Sequence, residues 1–291
     1  MPTLRRRLLF GLVTNQGLER QVRRVPALER RAWRAARRYV AGETRDQALE
    51  AVRRLGASGI TASVDFFGEL VSDPTAAERA TADYVRLASA VAPVQDAWLA
   101  IDLSHIGLDV SVDFCRRQLA TIVAALPVGR LIQVGAEDSS RTDAVLTVVT
   151  ALAGEGAPLM ATLQANLRRS PQDIVRLAEA GLPVRLVKGA YVEPPQVAHP
   201  WGEETDVAFL RLAHQLRAAG VAFSLATHDP ALREALLLAL GPLPIEMLLG
   251  VREADARGLV RRGLAVRCYV PYGQDWFRYW MRRLAESQGT G

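Results

Sequence analysis

The side chains best suited to chemistry in this 291-residue chain stand at the ends of apolar runs rather than inside them. "AWLAID" delivers Asp102, "TLQ" Gln164, "RLVK" Lys188, "SLATH" Thr227 and His228, "PIE" Glu246, and "RCY" Tyr269. A carboxylate, an ammonium, an imidazole and a phenol brought to one place bind a charged ligand and manage its protons. Within "LPVRLVKGA", period-two alternation puts Arg185 and Val187 on one face, Lys188 closes the run, and Gly189 lets backbone approach a ligand closely. A guanidinium inside an apolar strand needs compensation, so Arg185 meets either a carboxylate or a ligand. Among 36 basic residues, Lys188 is the one lysine, which marks it as a place where a compact ammonium is wanted and a planar guanidinium does not serve. "HDP", with Asp229 before Pro230, opens a helix whose free N–H groups suit an anion; the same letters also make an ordinary cap. Near the C terminus, Tyr279, Arg282, Arg283 and Glu286 are three and four residues apart on a helical pattern. On one broad helix side, Glu286 would hold a guanidinium while the remaining donors grip a ligand carboxylate.

The elements that must position these groups follow from the runs themselves. Strand-length apolar stretches occur at Ile60 to Phe67, Ala97 to Leu103, Leu131 to Ala136, Pro158 to Gln164, Val184 to Lys188, Val221 to Ala226, Pro244 to Leu248 and Ala265 to Tyr269. Each is followed by a helical pattern, and "SDPTAAE", "SPQDI" and "HDPALREA" open helices with Asp or Ser before a first-turn proline. No pair of strands is joined by a hairpin signal and no GxGxxG follows an early strand, so the alternation predicts an all-parallel, closed (βα)8 TIM-type barrel. Residues 1–58 form an N-terminal helical segment, with helices over Leu18 to Ala41 and Thr44 to Leu55, and residues 59–291 the barrel with its final covering helix. In such a barrel the strand ends share one mouth, which places the chemical side chains together.

Composition excludes several alternatives. Runs such as "ALLLAL" fall short of the roughly 18 to 20 residues of a membrane span. The start, "MPTLRRRLLFGLVTN", lacks a signal-peptide apolar region, and Cys115 and Cys268, far apart in sequence, suggest a reducing, cytoplasmic setting without a disulfide framework. Four scattered histidines have no metal-ligand spacing. The net charge of +5 is spread along the chain and does not indicate nucleic acid. Its densest basic stretch, Arg20 to Arg38, is amphipathic and suits at most a peripheral contact with an anionic inner membrane surface.

"RRYVAGET", "DFFGE", "RLVKGAY", "LATHDP", "LLGVR" and "YVPYGQDWFRYWMRRLAE", in this order, resemble the proline dehydrogenase family in its short monofunctional bacterial form. The resemblance covers nearly the whole chain. It implies a (βα)8 barrel that binds FAD, transfers hydride from a ring C–N bond to flavin N5, and passes electrons to a quinone or another acceptor. Carried over by motif, Gln164, Arg185, Val187, Lys188, Gly189, Ala190, Thr227, His228 and Glu286 would contact the cofactor. Leu248, Tyr269, Tyr279, Arg282 and Arg283 would line the substrate pocket, the two arginines holding a carboxylate, with Arg185 and Tyr269 catalytic.

Two positions depart from the family pattern together. The second strand resembles "VSVKLTQLGLD" but reads "LAIDLSHIGLD", so Asp102 replaces a lysine that pairs with the substrate carboxylate. The third resembles "RIDMEDS" but reads "QVGAEDS", so Gly135 replaces an aspartate. Glu246 likewise stands for a glutamine and Asn166 for a tyrosine. A carboxylate for an ammonium beside a bound carboxylate turns attraction into repulsion, about 4 kcal/mol each way at 4 Å and a dielectric near 20. The expectation is retained flavin chemistry on an altered amine or amino-acid-derived substrate, with Asp102 in the substrate pocket, either catalytic or setting specificity. An ordinary L-proline dehydrogenase and a catalytically inactive flavin- or ligand-binding homologue are the alternatives.

Overall fold

A computed structural model describes residues 16–94 and 97–287. The "MPTLRRRLLFGLVTN" start lies outside them. Eight strands close into one parallel barrel in sequence order. They are β1 Thr61–Phe66, β2 Ala97–Ile101, β3 Ile132–Val134, β4 Leu159–Gln164, β5 Val184–Val187, β6 Phe223–Ala226, β7 Ile245–Leu248 and β8 Val266–Tyr272. The helices are α1 Gln16–Arg24, α2 Pro26–Ala36, α3 Arg45–Gly56, α4 Pro74–Val91, α5 Val112–Ala124, α6 Thr142–Gly154, α7 Ser170–Glu179, α8 Glu203–Ala218, α9 Pro230–Leu240, α10 Glu253–Arg261 and α11 Trp276–Ser287. The predicted barrel is therefore the observed one.

Alternation explains how the wall is built. Ala62, Val64, Leu99, Ile101, Ile132, Val134, Leu163, Leu186, Leu225 and Met247 are buried in one apolar core with helix residues such as Leu87, Leu119, Val149 and Phe209. Several of the intervening strand positions are polar, and some of them meet across the barrel. Gln133 donates to both oxygens of Glu246 at 3.0 and 2.8 Å, and Ser224 donates to Glu246 at 2.6 Å. This hydrogen-bonded interior needs its partners complete, because each buried polar group left unmatched costs about 1–3 kcal/mol.

The structure corrects four boundary expectations. The predicted helix from Leu18 to Ala41 is broken at Val25, whose extended backbone precedes Pro26 at the first position of α2. The missing proline N–H and the restricted residue before it end one helix and start the next. Strand β8 continues beyond Tyr269 to Tyr272, because it pairs with all of β1 from Thr61↔Arg267 to Phe66↔Tyr272. Asp73 and Asp229 cap α4 and α9 as expected, but Ser170 is the first residue of α7 and donates back to the Gln164 carbonyl. Finally, Asp102 lies one residue past β2, at the start of a single 3-10 turn, Leu103–Ile106.

Helix α11 is held over the mouth by an aromatic cluster. Trp276, Phe277, Tyr279 and Met281 pack with Ala32, Ala36 and Val40 of the α2 region and with Phe67, and the Trp33 and Trp276 rings stand 5.1 Å apart. Among the described residues no helix is long and apolar enough to cross a membrane.

Candidate active site

The mouth has two chemically different sides. The end of β1 and the segments after β1, β2 and β3 bring acids together: Asp65, Glu69 and Glu137 all favour a proton on Asp102, and Glu69 favours one on Glu137. The ends of β4, β5 and β6 bring hydrogen-bonding groups and cations.

On the acidic side, Asp65 is buried and both carboxylate oxygens accept from phenols, Oδ1 from Tyr84 at 3.1 Å and Oδ2 from Tyr269. Burial pushes its carboxyl up to about 7, against the phenol hydrogen bonds and the nearby Arg185 charge. Glu137, also buried, accepts from the Ser104 backbone at 3.0 Å, yet burial still raises its carboxyl. Glu69 is opposite in behaviour: Arg282 and Arg278 hold it below the usual carboxylate range despite desolvation. Asp102 is raised well above that range by burial, then by Asp65, Glu137 and Glu69, with Arg282 opposing.

Asp102 and Gly135 are one structural unit. A Cβ built on Gly135 would overlap Asp102 Oδ1, so the carboxylate occupies the space a third-strand side chain would need. The two departures from the family pattern are sterically linked. Nothing in the sequence alone shows this.

On the other side, Arg185 is positioned by neutral acceptors: Nη1 donates to Gln133 Oε1 at 2.7 Å and Nε to Thr162 Oγ1 at 3.0 Å. No carboxylate accepts these bonds, and the guanidinium carbon lies 6.0 Å from the Tyr269 ring centroid. Val187, Gly189 and Ala190 follow along the same edge, half-buried. Gly189 has φ +115, and a side chain there would strike Asn166. Lys188 is ion-paired to Asp206 at 2.6 Å and to Asp229 at 3.2 Å. Its compact ammonium bridges a carboxylate in the first turn of α8, Asp206, and the one that caps α9, Asp229. Thr227 accepts from the Asp229 N–H at 3.1 Å, and His228 Nε2 accepts from the Leu248 N–H at 3.2 Å. Burial, with Arg283 and other arginines, lowers His228 to about 4, so the ring is neutral at neutral pH.

From above, α11 lowers Arg282, Arg283 and Tyr279 into the mouth. Arg283 lies over the Tyr279 ring at 4.9 Å, and Tyr279 faces Tyr269 at 6.0 Å between centroids. The expected clamp by Glu286 falls on a side chain outside the described residues. Arg282 is held by Glu69, at 3.1 Å, from the segment after β1. Sequence reasoning missed Asp65, Glu69, Glu137 and Gln133 as site residues. The acids of "DFFGE" and "EDS" were the available signal, but each looks like an ordinary loop or strand-end residue until the barrel closes.

The titration of Asp65 makes a prediction about stability. Its folded carboxyl holds a proton more tightly than the unfolded one, so its contribution is complete below the ordinary value of 3.8 and is lost as pH rises through about 7. Unfolding free energies from urea titration are expected to fall across that window by on the order of 2 kcal/mol, less than the full shift because Asp65 titrates together with a neighbouring group. Asp65→Asn should flatten the fall; an unchanged slope would show that Asp65 is ionised throughout.

A closed parallel barrel that gathers its charged and hydrogen-bonding groups at the C-terminal mouth, under one last helix, is the architecture of a (βα)8 enzyme. Comparison with known proteins gives the particular branch: residues 48–290 match the sequence profile of proline dehydrogenase, and the chain belongs to that family of oxidoreductases. Proline dehydrogenase from Deinococcus radiodurans is 34% identical over 272 residues, covering 88% of this chain and 87% of its own. Proline dehydrogenase 1 from Bacillus subtilis is 33% identical over 260 residues, covering 86% of each. Among solved structures, proline utilization A from Bdellovibrio bacteriovorus, inactivated by N-propargylglycine, superposes with a TM-score of 0.83 at 22% identity. That match covers 91% of this chain and 34% of the longer protein, and it speaks for the fold.

Proposed function

We propose that the protein is an FAD-dependent dehydrogenase that oxidises the ring C–N bond of L-proline, the activity named for its relatives. The observation that carries this reading is a pair of guanidinium groups at opposite sides of one mouth: Arg185, held by neutral acceptors, and Arg282, lowered from α11. Bound FAD would supply the hydride acceptor. The β4–β6 side fits it: Gln164 Oε1 and His228 Nδ1 are buried without a partner among the described residues, and the Gly189 backbone turns without a side chain in the way. Arg185 supplies fixed positive charge where negative charge grows during reduction. Arg282 and Arg283 orient a substrate carboxylate, while Tyr269 and Tyr279 bound the ring. A quinone or another acceptor completes the cycle, and the exposed arginines of α1 and α2 offer a peripheral surface for a membrane-borne one.

The relatives favour L-proline over the altered substrate expected from sequence. One observation keeps the second reading: Asp102 lies where the family pattern has a lysine. If it is ionised, it faces an amine, hydrazine or amide carried by a different carboxylate-bearing substrate. Anaerobic titration of the purified flavoprotein separates the readings. L-proline is expected to bleach the flavin absorbance at millimolar concentration. No bleaching by proline, with bleaching by an amine-bearing analogue, would transfer the assignment to the second reading; no bleaching by either would leave a ligand-binding homologue.

A further inference from the structure

We propose that Asp102 works as a neutral carboxylic acid, donating its O–H to the carboxylate of a proline-like substrate in place of the ammonium of the family pattern. The inference deepens the L-proline reading and rests on it for the identity of the substrate carboxylate.

The argument starts from charge balance. Asp102 is surrounded by groups from every neighbouring element: Asp65 on β1, Glu69 after it, Tyr84 on α4, Glu137 after β3, Tyr191 after β5, Tyr269 on β8 and Arg282 on α11. Three of these are acids and three are phenols. The phenols are held far from ionisation by burial and by these same carboxylates. The single cation among them, Arg282, already donates to Glu69 at 3.1 Å. Ionised Asp102 would put another negative charge into this ring before a substrate carboxylate adds one more. A proton on Asp102 removes the conflict and creates a donor. Its direction of titration agrees.

Geometry supplies the rest. Gly135 leaves open the space that Oδ1 fills, and among the described residues no hydrogen bond engages the Asp102 carboxyl, whereas Asp65, Glu69 and Glu137 each hold protein donors. The residue remains partly exposed. An acid that is buried on its protein side, unengaged, and beside the arginine meant for a carboxylate is placed to complete that carboxylate's hydrogen bonds. Neutral acids kept protonated by like charge and desolvation are established donors in enzyme sites.

The sign of one substitution decides it. The probe is tetrahydrofuran-2-carboxylate, which keeps the ring and carboxylate of proline and lacks the nitrogen, titrated calorimetrically into the FAD-loaded protein between pH 6 and pH 10. With Asp102 as donor, Asp102→Ala weakens binding about tenfold and Asp102→Asn, whose amide still donates, recovers most of the loss. Wild-type affinity falls with rising pH, with proton uptake in buffers of different ionisation enthalpy, and Asp102→Asn removes that fall. If Asp102→Ala binds the probe as tightly as wild type or more tightly, the residue is an ionised repeller and the inference is overturned; a pH dependence that survives in Asp102→Asn overturns it too. Proline bleaching in the same preparation keeps the two claims apart. Bleaching with the wrong sign for Asp102→Ala leaves the activity and removes the donor, and the expected sign without bleaching leaves the donor and removes proline. Absence of probe binding by the wild type at pH 6 overturns the donor, and bleaching by proline alone then decides the activity.

Discussion

Arg282→Ala is expected to weaken binding of proline, or of its unreactive carboxylate analogue, by about 10²- to 10³-fold, the larger share appearing in KM rather than kcat. Two losses combine. The substrate carboxylate loses its main cation, and Glu69 loses the guanidinium that holds it at 3.1 Å. Glu69 then keeps only Arg278, at 3.5 Å, inside a ring of acids that includes Asp102. Removing one partner from a largely desolvated pair costs more than forming the pair gained, because the remaining charge is stranded. Arg282→Lys should recover only a fraction, since an ammonium cannot bond Glu69 and a substrate carboxylate with the fixed geometry of a planar fork. Glu69→Gln should relieve part of the Arg282→Ala loss in stability and none of its loss in affinity. Calorimetric titration with urea unfolding of the same four proteins checks this. A change below tenfold for Arg282→Ala would show that Arg283 carries the carboxylate instead.

How far the sequence leads depends on the distance over which each feature is decided. The barrel is legible because its signals are local: apolar runs of strand length, each followed by a helical pattern, with Asp73 and Asp229 capping helices before prolines. Features decided by pairing are not. The extension of β8 to Tyr272 exists because β1 lies beside it, and a strand's partner cannot be read from its own letters. The same limit governs the site. The Glu69 partner of Arg282 is 213 residues away in sequence, beyond the reach of any local spacing. The interior bridge from Arg185 through Gln133 to Glu246 joins three strands and has no sequence signature. The family pattern marked positions 102 and 135 as changed; only the folded chain shows that they compete for one volume.

That shared volume makes the last expectation the most demanding. Gly135→Asp, the single change toward the family pattern, should destabilise the protein by about 3–5 kcal/mol, read as a lowered urea midpoint with an unchanged slope. The new Cβ overlaps Asp102 Oδ1, so either the carboxylate or the β3 end must move, and well-packed sites resist such insertion by about 1–3 kcal/mol. The added carboxylate also joins Asp65, Asp102 and Glu137 with no new cation. Asp102→Lys alone should be mild, because its ammonium enters a ring of acids. Combined with Gly135→Asp it vacates Oδ1 and supplies the counter-charge, so the double variant should recover most of the loss, with a coupling of at least 2 kcal/mol. Independent sites would add within about 0.5 kcal/mol. The double variant carries an ammonium beside the substrate carboxylate, so its proline affinity should no longer decline as Asp102 would ionise. Additive single effects would mean that the two departures arose separately, and the steric link between Asp102 and Gly135 would then explain neither.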